Sequence, residues 1–138
     1  MLEDYSSAVK SVICEMGGVN PSANWERVEA AVDSAAVDNV IPAPALPHIK
    51  TEPSPRSISG RHYVSASDQE IKNRGQRLVR FRSEENNPHS IMFQSADVGR
   101  TLISADRLSE AGCEVVLNKK RPRIVTKTGK VIRLKRKG

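Results

Sequence analysis

The sequence predicts a mostly β domain with one short helix near its C-terminal end. Two observations carry this. Apolar, β-branched runs recur between turn residues from Trp25 onward, and Ala105–Ala111 has a helical start, a helical length and a glycine stop. Five prolines crowd residues 42–60, which removes that stretch from any central sheet.

In chain order, residues 1–16 read as a short amphipathic helix, with Leu2, Tyr5, Val9, Val12 and Ile13 near helical spacing and Gly17-Gly18 as the stop. Residues 1–24 are thus an N-terminal appendage. Trp25–Val32 is the first clear strand, and it runs straight into Asp33. Residues 42–60 form a long proline-stiffened loop. Residues 61–82 read as a hairpin with Ser67-Asp68-Gln69-Glu70 at its tip and Asn73-Arg74-Gly75 as a turn or bulge. Further strands fall at Ile91–Phe93 through Val98, at Thr101–Ser104 and at Cys113–Leu117. Ser104 caps the helix and Gly112 ends it. Arg123–Thr126 and Lys130–Leu134 flank Lys127-Thr128-Gly129 as a last hairpin.

The 138 residues suffice for one domain with tails, here 25–117 with an extension over 118–138. Aromatic residues are only 4%, so the core must rest on Val, Ile, Leu and Ala. Cys14 and Cys113 make no disulfide framework, and His48, His62 and His89 are scattered, so no metal or cofactor is expected. No apolar run reaches the roughly 18 residues of a membrane span, and the N-terminus lacks a signal-peptide layout. An intracellular, cytoplasmic setting without membrane contact is the default expectation.

Charge is unevenly spread. Of the 22 Lys and Arg residues, 10 lie in residues 118–138, where there is no acid; residues 1–117 hold the other 12 against all 16 Asp and Glu. Such a basic block is either a solvated edge that blocks strand pairing or a weak nucleic-acid contact through residues 119–137.

The chemistry concentrates in Ala31-Val32-Asp33-Ser34-Ala35-Ala36-Val37-Asp38. An apolar run delivers a carboxylate, then a hydroxyl, then small residues that let a backbone or ligand approach. Asp-Ser between alanines is also a common turn or cap.

The motif resembles that of the aspartic proteases: two apolar residues, Asp, Ser or Thr, Gly, Ala. The run Thr101–Val115, with its short helix ending at Ala111-Gly112, is similar to the C-terminal part of retropepsin-type enzymes, and Phe93–Val98 resembles the retrotransposon-encoded ones. The resemblance covers roughly residues 25–117. It implies an all-β fold, a closed β-barrel with one C-terminal helix, in a homodimer to which each copy gives one Asp33. It implies an aspartic endopeptidase acting on polypeptide. Ser34, Ala35 and Ala36 would form the active-site loop. Residues 63–72 would be a flap, with Ser65, Ala66, Ser67 and Asp68 over the substrate, which Val37, Asp38 and Ile103 would also touch. Val37 stands where the retroviral enzymes often carry a second acid, and Asp38 is the candidate for that part. The family's usual Gly is replaced by Ala35 and by Ser104. Two rival readings stand beside the enzyme: a catalytically silent domain of the same kind kept for dimerisation, and a nucleic-acid-binding module that uses the basic tail.

Overall fold

A computed structural model describes residues 9–15, 25–60, 62–64, 70–83, 85 and 87–135. Strands β1 (Val9–Glu15), β2 (Trp25–Asp33), β3 (Val40–Pro42), β4 (His62–Val64), β5 (Glu70–Arg82), β6 (Pro88–Ala96) and β7 (Thr101–Ser104) form one sheet, in the order β1-β2-β7-β3-β6-β5-β4. Strands β8 (Glu114–Val116), β9 (Arg123–Val125) and β10 (Val131–Arg133) form a second, antiparallel sheet. Helices α1 (Pro55–Ser59) and α2 (Ala105–Glu110) are both short.

The sequence explains the long strand best. Along β5, Asn73, Gly75, Arg77, Val79 and Phe81 are buried while the residues between them face outward. That period of two is what a sheet with one covered face requires. Gly75 sits at a register shift against β6, with φ +128° and the carbonyl of Glu52 where a Cβ would stand. Only glycine fits there. The core joins the two sheets: Val32, Ile41, Phe81, Phe93 and Ile103 pack in one cluster with Ile124, Ile132 and Leu134. The hairpin in the basic segment therefore contributes its inner face to the core.

Three expectations are corrected. Among the described residues there is no closed barrel: they form a mixed α/β fold with two open sheets and two short helices. β1 also meets β5, through Ile13↔Arg82 and Cys14↔Phe81, but three-residue β4 remains beyond β5 as an edge with one partner. The retropepsin-like barrel description is accordingly withdrawn. The second correction lies at the N-terminus, where Val9–Glu15 is a strand and not a helix. Its β-branched residues suit the seven-pair ladder that β2 offers, and that ladder outweighs a loose helical spacing. The third lies in the proline-rich stretch, which holds α1. Ser54 caps that helix in a reciprocal pair with Ser57, and Pro55 stands in the first turn, where a missing N–H costs nothing. The described residues thus carry α2 where Ala105–Ala111 was read and α1 where a loop was expected. Among the described residues, no helix is long and apolar enough to cross a membrane.

Candidate functional site around Asp33

Asp33 ends β2 and is 7% exposed. β2 runs parallel to β7, with Val32 opposite Ile103 and Asp33 opposite Ser104. Both strands are buried here, so the carboxylate is delivered by the core. Its Oδ1 accepts the amide of Ala35 at 2.8 Å, the Asx turn that Asp favours after a strand. Among the described residues, none donates a hydrogen bond to Oδ2. One oxygen is thus held by its own loop.

The loop after Asp33 is pinned from β7 and α2. Ser104 is fully buried. Its hydroxyl donates to the Ala36 carbonyl at 2.7 Å and accepts the Arg107 amide at 3.2 Å. Its own amide donates to Asn39 Oδ1 at 2.8 Å. The Ser104 side chain therefore serves both as helix cap and as loop anchor. Arg107 reaches back to the Val37 carbonyl at 3.2 Å.

Asp38 is buried between two guanidinium groups. Arg107 Nη2 lies 2.7 Å from Oδ1, and Arg56 Nε lies 2.7 Å from Oδ2. This carboxylate ties α1, α2 and the Asp33 loop together. Burial is affordable for it because both oxygens meet a cation. Ser34 and Ala35 are exposed and Val37 is 60% exposed, so the loop's crest faces outward. Ile103 packs in the core at 3% exposure. Ser65, Ala66, Ser67 and Asp68 lie outside the described residues; the hairpin below them is set by His62↔Lys72, Tyr63↔Ile71 and Val64↔Glu70.

Asn39, Arg56 and Arg107 escaped the reading of the sequence. Arg107 stands three residues after the capping serine, and Asn39 directly precedes a strand, but neither position announces a partner some 65 residues away. A cavity of about 590 Å³ borders this network. Asp38, Arg56 and Arg107 line one end and Phe81, Met92 and Ile132 line its apolar body, while Asp33 does not line it. Among the described residues, no group of three or more His, Cys, Asp or Glu could hold a metal ion.

No family model matches the chain, and no curated protein matches it in sequence.

Proposed function

We propose that the chain is an aspartic endopeptidase whose active site is completed by the Asp33 of a second copy. The observation that carries this reading is the state of Asp33: nearly buried at a strand end, held through Oδ1, with no partner on Oδ2 among the described residues, in a loop fastened at Ala36, Val37, Asp38 and Asn39. Catalytic carboxylates need such fixed placement. The aspartic protease motif in the sequence supplies the rest.

A two-fold dimer is the simplest closed assembly that brings two such carboxylates together. Two carboxyl groups about 3 Å apart do not both ionise, and they share one proton. The ionised Asp33 takes a proton from water, which attacks the scissile carbonyl. The protonated Asp33 of the second copy hydrogen-bonds the carbonyl oxygen and later supplies the proton that the leaving nitrogen takes up. Ser34, exposed beside Asp33, bonds across the dimer axis. Val37 contacts the polypeptide. Asp38 acts by holding the loop, since two arginines already engage its carboxylate.

The test is cleavage of an unstructured polypeptide by the whole chain between about pH 4 and 7, with and without pepstatin, at several protein concentrations. Cleavage should fall on dilution and disappear in Asp33→Asn. A chain that dimerises in solution yet leaves the polypeptide intact would replace the enzyme with a silent dimerisation domain. Equal cleavage by the wild type and Asp33→Asn would remove Asp33 from the chemistry.

A further inference from the structure

We infer that the outer face of the β9–β10 hairpin binds the phosphate backbone of nucleic acid, without reading its sequence.

The two strands have opposite faces of opposite character. Ile124, Ile132 and Leu134 are buried in the core. Their burial fixes which way the alternate residues point, and Arg123, Arg133 and Lys135 cannot turn inward. The register sets Arg123 directly opposite Arg133. Like charges in a cross-strand pair repel, so this pairing is a poor choice for stability alone. Arg121 continues the outer face by one more alternate residue, and Lys127 and Lys130 stand exposed in the turn. Alternate residues on a strand are about 7 Å apart. This gives a row of cations at intervals similar to those between the phosphates of an extended strand.

Two acids border this face, and one of them engages Arg133. Glu85 accepts the Arg133 amide at 3.0 Å and lies 3.5 Å from its Nε, and exposed Glu114 faces Val125 from β8. Residues 118–138 contain ten cations and no carboxylate. They also contain no aromatic residue. Without an aromatic platform, bases are not stacked, and contact is limited to phosphate. An anionic bilayer fits less well, since interfacial binding draws on a broad apolar face and Val131, 38% exposed, is the one large apolar side chain exposed on these two strands.

The experiment measures binding of a fluorescent mixed-sequence single-stranded RNA to the whole chain between about 50 and 200 mM salt. Four phosphate contacts give a slope of about −3 in log K against log salt, hence about a 50-fold loss over this range. The pair Arg123→Gln and Arg133→Gln should bind more weakly and lose only about sevenfold over the same range. Lys127→Gln with Lys130→Gln repeats the test in the turn, where neither side chain belongs to the ladder. Asp33→Asn should bind as the wild type does, which separates this surface from the proposed peptidase site. The inference is overturned by absence of binding at low salt, or by an unchanged slope in both double variants. Tighter capture by phosphatidylserine vesicles, lost in the same variants, would overturn it in favour of a membrane contact.

Discussion

Ser104 stands opposite Asp33 in the parallel β2–β7 register, and its hydroxyl fastens the Ala36 carbonyl at 2.7 Å while capping α2. One side chain thus couples the carboxylate loop to a helix start. Ser104→Ala removes the cap and leaves the half-buried Ala36 carbonyl without this donor. The expected loss is about 1–3 kcal/mol, read as a lower midpoint in urea unfolding. A change below a few tenths of a kcal/mol would mean that the hydroxyl carries neither role.

Asp38 should matter for stability even if no peptide is ever cut. Asp38→Asn leaves two arginines facing a neutral amide. Since Arg56 and Arg107 are 30% and 44% exposed, water offsets part of the loss, and about 1–3 kcal/mol is expected. A double-mutant cycle of Asp38→Asn with Arg107→Gln should give a coupling of about 1 kcal/mol. Additive effects would show that the pair contributes no net stability.

Arg77 is the largest fully buried side chain. Its guanidinium donates to the carbonyls of Ala45, Leu46, Pro42 and Ala43, and burial lowers its pKa from the usual arginine value. The proline-rich loop is therefore wrapped around a cation. Arg77→Met strands these carbonyls, and a loss of about 3–5 kcal/mol is expected. Arg77→Lys keeps the charge but not the fork, so it should fall between wild type and Arg77→Met. Hydrogen exchange over residues 42–49 should rise in the same order.

His89 gives the fold a pH dependence of its own. Burial lowers its pKa below 6.5, Lys130 lowers it further, and Glu85 opposes them; Nε2 is buried without a hydrogen-bond partner. Above pH 6.5 both the folded and the unfolded chain hold the imidazole neutral, and its contribution is complete. As pH falls below 6.5 the unfolded chain takes up the proton first, so stability declines until the folded value is passed. His89→Phe keeps a ring beside Phe81, whose centroid lies 5.5 Å away, and should flatten the thermal midpoint between about pH 7.5 and 5.5. An unchanged slope in that variant would assign the pH dependence elsewhere.

Local signals were legible where one physical effect dominated. The Gly75 bulge, the Ser104 cap and the Gly129 turn, where φ is +88°, each depend on a few neighbouring residues. Asp33 at the end of its strand was legible for the same reason. Val9–Glu15 was misread because seven residues with mixed spacing fit both periods, and only the presence of β2 decides between them. Helix α1 was hidden because Pro55 breaks a helix interior yet opens a first turn equally well. The sheet order and the ties from Arg56, Asn39 and Arg107 to the loop join distant segments, and no local pattern records such a choice.

The parallel pairing of β2 with β7 also governs when the site can come into being. Ser104 meets Asn39 and Ala36 across 65 and 68 positions of chain. Closing so long a segment is entropically costly and slow compared with forming a hairpin. During synthesis, Asp33 leaves the ribosome long before the serine that braces its loop. A nascent chain halted before residue 104 therefore carries the carboxylate but not the brace, and acquisition of the ordered site is a late event of folding.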